Sequence, residues 1–204
     1  MNAFNANRDK PIGKRLDLPD SEIVYYPEFF IKAKADAYFE HFKKKVPWQQ
    51  DNIKVFGKIY PQPRLTALYG TNGKPYSYSN ITMQPHSFTE ALLEIKEKIE
   101  TVTDAVFTTC LLNRYRHGRD SNGWHADNEK ALGPHPVIAS VTLGQERYFH
   151  LKHRSDKYLK HKVLLWHGSL LIMQGTTQQH WLHQVPKTAK PIGERINLTF
   201  RVIA

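Results

Sequence analysis

Apolar residues follow two different rhythms along this chain. Between 33 and 46, Ala35, Tyr38, Phe39, Phe42 and Val46 recur at steps of three and four, which places them on one face of a helix. A second helix is expected over 87–99. Ser87 and Glu90 make a capping box, Pro85 precedes the start, and Phe88, Leu92, Ile95 and Ile99 form its apolar stripe. Beyond residue 104 the period drops to that of strands. Segments 106–115, 137–143, 147–151, 162–166, 169–174 and 195–203 are rich in β-branched and aromatic residues, and RDSNGW, GPHP, HGS and KPIGER punctuate them. Residues 51–82 also read as β, with Gly57, Gly70 and Gly73 at bends. Many short strands of this kind predict an antiparallel sandwich or barrel, with the two helices packed outside it. Residues 1–20 read as an extended arm and 21–204 as one domain, because no repeat, low-complexity tract or Pro-rich linker divides them.

Composition narrows the class. At 204 residues, 40% hydrophobic and 24% charged, the chain is long enough for a real core and has a globular balance. No apolar run approaches a membrane span, so no membrane partner is expected. The polar start MNAFNANRDKPIGKRLDLPD is no secretory signal. A single cysteine, Cys110, excludes a disulfide framework and a cysteine-based zinc cluster, which points to an intracellular setting and to a buried strand residue. Lys and Arg number 29 against 19 Asp and Glu, a net charge of +10. A surplus of that size attracts polyanions, nucleic acid foremost, although a basic surface can also serve solubility alone.

Candidate chemistry begins at GWHADNE, where His125 and Asp127 flank one residue. In extended backbone, side chains two apart share a side, so an imidazole and a carboxylate can share an ion. A third donor could come from His167, His180 or His183. Two histidines and one carboxylate on three corners of an octahedron leave positions open for a cosubstrate and dioxygen, as in non-haem Fe(II) oxygenases. Among eleven histidines, however, an H-x-D by itself reads more readily as an exposed pair without a metal. The last strand adds a second signal. Ile196, Leu198, Phe200 and Val202 alternate with Arg195, Asn197, Thr199 and Arg201. Either the polar set faces solvent, or it faces inward, where two arginines demand an anion such as a small dicarboxylate. Asn113 and Tyr115 likewise share one strand face with Leu111, and periodicity does not separate a ligand shell from an ordinary strand end.

The ordered set NRY (113–115), WHADNE (124–129), PVIASVTLG (136–144), HGSLLIM (167–173), WLHQVPK (181–187) and RINLTFR (195–201) resembles the AlkB-like Fe(II)/2-oxoglutarate dioxygenases. It is most similar to the branch holding the mammalian DNA-repair homologues two and three. The likeness spans roughly residues 50–203. It implies a mainly β, α+β fold: a double-stranded β-helix (jelly roll) core over about 104–203 with flanking helices and a nucleotide-recognition lid over about 50–82. It implies hydroxylation of N-methyl groups on flipped bases such as 1-methyladenine and 3-methylcytosine. Formaldehyde and succinate are released, and Fe(II), 2-oxoglutarate and dioxygen are required.

Carried over by position, the resemblance makes His125, Asp127 and His183 the iron ligands, His183 being the histidine before x-V-P. Arg195 becomes the clamp for the distal carboxylate of 2-oxoglutarate, and Asn113, Tyr115, Asn197, Thr199 and Arg201 the rest of its shell. Tyr76 and Tyr78, in YGTNGKPYSYS, fall where aromatic residues hold the flipped base against His125, with Glu129 an acidic neighbour. KVFGK (54–58) resembles a duplex-probing hairpin with Phe56 as the wedge between two lysines, whereas YGT and ITMQP look closer to the homologue that prefers single strands. Asn128 stands where members of this branch often carry Asp. No catalytic protein residue beyond the metal centre is implied. The expected partner is alkylated DNA or RNA, bound by a monomer that is cytoplasmic in a bacterium and nuclear in a eukaryote. Against all this stand the same oxygenase chemistry turned on RNA or on a protein side chain, and a non-catalytic nucleic-acid-binding jelly roll.

Overall fold

The computed structural model describes residues 11–203 except 56, 72, 74, 75, 79 and 80, and of residues 54, 55, 76–78 and 81 the backbone alone. Its frame is an eight-stranded sheet. In spatial order the strands are β1 (Lys14–Arg15), β2 (Glu22–Tyr26), β14 (Ser169–Gln174), β11 (Ile138–Gly144), β16 (Arg195–Arg201), β9 (Thr109–Tyr115), β5 (Leu65–Gly70) and β8 (His86–Ser87). Facing it is a four-stranded sheet, β10 (Asn122–His125), β15 (Trp181–Val185), β12 (Arg147–His153) and β13 (Lys160–Leu165). Two hairpins, β3 (Asn52–Val55) with β4 (Lys58–Pro61) and β6 (Tyr76–Tyr78) with β7 (Ile81–Met83), lie along the chain on either side of β5. Pairing within the two large sheets is antiparallel except between β5 and β8.

Alternation along the central strands divides the core in two. Leu112, Val141, Ile196, Leu198 and Phe200 point outward from the large sheet. They are covered by α1 (Lys32–Lys45), through Ala35, Tyr38 and Phe42, and by α2 (Glu90–Glu100), through Leu92, Ile95 and Ile99. The opposite face sends Leu111, Ile138, Leu171 and Met173 to meet Phe149, Leu151, Val163, Trp181 and Val185 of the small sheet. With both faces covered, β9, β11 and β16 are buried almost throughout, and the two sheets form the expected jelly roll. The outer turn from β11 to β12 requires Gly144: its φ is +85°, and an added Cβ would fall 2.5 Å from the Glu194 carbonyl oxygen.

Three local expectations are corrected. The second helix starts at Glu90, capped by Thr89, whose Oγ1 accepts from the Leu92 N–H at 3.4 Å. Ser87 instead belongs to β8, paired with Gly70, so sheet formation overrides the capping box, and Phe88 packs from outside the helix. The sheet begins at Lys14, inside the segment read as an arm, because β1 pairs with β2 and Leu16 is buried. A two-residue strand of charged residues has no apolar alternation to announce it. Residues 1–10 of that arm lie outside the described residues. Val202 lies past the end of β16 and is partly exposed. Among the described residues, no helix is long and apolar enough to cross a membrane.

Candidate active site

A cavity of about 290 Å³ lies between the sheets. His125 on β10 and His183 on β15 are register partners, and their ring centroids are 4.2 Å apart. Asp127 follows β10 and is fixed by its own N–H, which donates to Gln178 Oε1 at 2.9 Å. One donor atom from each of His125, Asp127 and His183 lies within 4.8 Å of the other two.

The protonation states suit a metal. His125 Nδ1 lies 2.7 Å from the Gly123 carbonyl oxygen, which places the ring proton on Nδ1 and leaves a lone pair on Nε2, met at 3.1 Å by the Asn122 amide. Burial pushes the His183 pKa down to about 3, the neighbouring His125 lowers it further and Asp127 opposes the shift, so the ring stays neutral. Burial alone would raise the Asp127 carboxyl. Arg201, His183 and His125 outweigh it and hold Asp127 well below the usual carboxylate range, with Arg201 Nη2 donating to Oδ1 at 2.8 Å.

The other two histidines that the sequence offered as third ligands are accounted for elsewhere. His167 accepts the Gly144 N–H on Nδ1 at 2.8 Å and faces Asp36 through Nε2 at 3.0 Å. His180 joins Asp20 and His153 in a second cluster with ligand-like spacing. There the backbone N–H groups of Ser155 and Asp156 donate to His153 Nδ1 at 3.3 and 3.1 Å, which keeps the ring proton on Nε2, 3.4 Å from Asp20. The His153 nitrogen that faces Asp20 therefore carries the proton and has no lone pair for an ion shared with that carboxylate.

Every residue of the expected cosubstrate shell lines the first cavity: Asn113, Tyr115, Arg195, Asn197, Thr199 and Arg201. The inward reading of the last strand holds, since all four of its polar side chains are buried. β16 and β9 set them face to face, Arg195 opposite Tyr115 and Asn197 opposite Asn113. Arg195 is 1% exposed, with Nη2 donating to Thr142 Oγ1 at 2.9 Å and the Tyr115 ring 5.2 Å from the guanidinium. Its buried Nε and Nη1 find no hydrogen-bond partner among the described residues. Burial lowers its pKa to about 10, so it remains a cation at neutral pH. A buried cation with two unsatisfied N–H groups is costly unless an anion meets it. A carboxylate fits that need, and the His–Asp–His set beside it fits a divalent transition metal.

Arg64 was missed in the sequence, where nothing around PQPRLT marks it. It is buried in the same cavity, donating from Nε to Asn113 Oδ1 at 2.7 Å and from Nη1 to the Ser121 carbonyl at 3.3 Å. With its oxygen so engaged, Asn113 has its NH2 group left to donate to a ligand. Gln178 was missed for the same reason. Glu129 lines the cavity, and its buried Oε2 has no partner among the described residues. Asn128 is exposed. Tyr76 and Tyr78 lie in β6, but their side chains are outside the described residues, as is Phe56 altogether. Cys110 is fully buried in β9.

The loop leading into β10 is clasped by Asp120, which is 2% exposed. Its carboxylate accepts from Arg116 Nε, Nη2 and backbone N at 2.8, 3.1 and 2.8 Å. Burial raises this carboxyl, but Arg116 more than offsets it, so the net pKa is lowered. A folded pKa below the unfolded one gives stability that is present above pH ~4 and is lost as pH falls through the folded value. Asp120→Asn is expected to cost about 2 kcal/mol at pH ~7. Urea denaturation should show the difference from wild type narrowing towards pH ~3. A difference independent of pH would mean that shape, not charge, holds the loop.

A model of the 2OG-Fe(II) oxygenase superfamily matches residues 22–201, and the chain belongs to that family. It is 41% identical over 192 residues to the mouse alpha-ketoglutarate-dependent dioxygenase alkB homolog 3, covering 90% of this chain and 66% of that protein. It is 37% identical over 231 residues to the Arabidopsis thaliana DNA oxidative demethylase ALKBH2, covering 97% of this chain and 72% of the relative. The chain thus spans just under two thirds of the length of the mouse relative. Among solved structures, OsALKBH1 matches with a TM-score of 0.64 at 20% identity, over 94% of this chain and 100% of that one, a likeness of fold.

Proposed function

We propose that this chain is an Fe(II)- and 2-oxoglutarate-dependent dioxygenase that removes N-methyl groups from bases in DNA. The observation that carries the reading is the convergence, in one cavity, of three buried or half-buried metal donors with an arginine that lacks an anion. His125, Asp127 and His183 would hold the iron. Bound there, iron supplies the oxidation, with dioxygen, of 2-oxoglutarate to succinate and carbon dioxide and of a methyl C–H to C–OH. Arg195 would bind the far carboxylate of 2-oxoglutarate, with Asn113, Tyr115, Asn197 and Thr199 around it. Arg201 would hold Asp127 in its ligating orientation. Glu129 Oε2, buried and without a partner among the described residues, suits the exocyclic amino group of adenine or cytosine. Tyr76 and Tyr78 would enclose the base, and Phe56 would fill the gap it leaves. The N-hydroxymethyl base then loses formaldehyde. The names of the relatives and the net charge of +10 support a nucleic-acid substrate. A single buried cysteine supports an intracellular setting.

The test is formaldehyde release from an oligonucleotide carrying 1-methyladenine. Formaldehyde and succinate are expected in equal amounts, only with Fe(II) and 2-oxoglutarate present. His125→Ala should abolish release while DNA binding persists. Binding without release by the wild type would instead identify a nucleic-acid-binding jelly roll.

A further inference from the structure

The pleat that turns His125 into the cavity turns Trp124 outward. Trp124 is 39% exposed and still borders the cavity, so it stands at its mouth on the outer face of the four-stranded sheet. From across β15, Lys152 reaches over it, with Nζ 4.5 Å from the ring centre. β12 and β13 alternate in the same way: Phe149, Leu151, Val163 and Leu165 enter the core, while Tyr148, Lys160 and Lys162 are exposed. Lys162 lies over Tyr148, with Nζ 5.3 Å from that ring. Trp124, Lys160 and Lys162 border an open groove of about 540 Å³ whose lining, among the described residues, contains no carboxylate.

Two exposed rings on one sheet face, each attended by an ammonium group and one of them bordering that groove, fit a single-stranded polyanion. Its bases have free faces to stack on the rings, and its phosphates meet the lysines. In a duplex those faces are occupied by neighbouring bases. Three strand spacings, from β10 to β13, span ~14 Å, enough for about four stacked nucleotides at ~3.4 Å each. We propose that the outer face of the four-stranded sheet is a track for single-stranded DNA flanking the flipped nucleotide, with Trp124 stacking on the first base outside the cavity. This rests on the dealkylation reading above and selects the single strand as its substrate form. Adjacent nucleotides would then lie on opposite sides of one β-strand, one against His125 and the next against Trp124.

The experiment compares wild type, Trp124→Ala, Trp124→Phe and Lys160→Glu/Lys162→Glu on three methylated substrates: a single-stranded 15-mer, the same 15-mer in duplex, and a methylated mononucleotide, which has no neighbouring base to stack on Trp124. For Trp124→Ala, kcat/KM on the single-stranded 15-mer is expected to fall about tenfold more than on the mononucleotide. Trp124→Phe should recover most of that loss. The double lysine variant should flatten the dependence of log Kd on log salt by about 1.4, or ~0.7 per lost phosphate contact. Equal losses on the 15-mer and the mononucleotide would reduce Trp124 to a support for His125 and overturn the track. So would a loss on duplex as large as on the single strand, or an unchanged salt dependence. Fluorescence anisotropy with an unmethylated single-stranded 15-mer reads the track without turnover. If wild type turns over none of the substrates yet its binding falls in the variants, the dealkylation reading fails and the track stands.

Discussion

Asp127→Asn is expected to abolish iron-dependent turnover, with formaldehyde release falling to background at any concentration of 2-oxoglutarate. The argument is one of charge. Asp127 is the sole carboxylate in the donor set, and the depressed pKa keeps it an anion at neutral pH. Without it, Arg201 and the metal present like charges across one buried space, with only neutral imidazoles as ligands. The same substitution also removes the carboxylate facing Arg201 Nη2 at 2.8 Å, where both side chains are close to fully buried. Breaking a buried pair costs ~3–5 kcal/mol, so metal-free Asp127→Asn should also unfold at lower urea. Titration with Mn(II) in a calorimeter separates the two effects. Lost metal binding in a protein that is still folded is the expected result, and metal bound as tightly as in wild type would remove Asp127 from the centre.

Replacing Arg195 has the next largest consequence. Its Nη1, without a hydrogen-bond partner among the described residues, can meet one carboxylate end-on beside Nη2, and each charge-assisted hydrogen bond contributes ~1.5–3 kcal/mol. Arg195→Ala is therefore expected to raise the KM for 2-oxoglutarate by at least ~100-fold, with kcat at saturation reduced far less. Arg195→Lys should recover only part, because an ammonium group cannot reproduce the planar fork. DNA affinity should stay at the wild-type value, since Arg195 is buried. An unchanged KM would take the anion away from this end of the cavity.

How far the site was legible depended on the kind of signal each residue carries. The two faces of β16 could be seen because alternation there is strict: Arg195, Asn197, Thr199 and Arg201 share the face opposite the apolar set. The sequence left solvent exposure open, and the burial of all seven strand residues closes that alternative. His125 and Asp127 could be paired by their spacing, but choosing His183 needed the register of β10 with β15, which is a long-range fact. The resemblance supplied that choice earlier. Arg64 and Gln178 had no local sign, because each acts through a hydrogen bond to a residue 49 or 51 positions away. The helices were legible from their stripes, yet the Ser87 capping box was misread because a parallel pairing with Gly70 claimed that residue for the sheet. β2 and β15 are short strands drawn in by partners on either side, and β10 is an edge strand held by β15, so local preference alone does not mark them.

The outermost strands of the large sheet, Lys14–Arg15 on one side and His86–Ser87 on the other, are each two residues long. An edge that short leaves little backbone against which another chain could align, and the Lys-Arg pair adds like charge to any second copy approaching it. For a protein built around so broad an antiparallel surface, this blunting of both rims guards against sheet-to-sheet polymerisation.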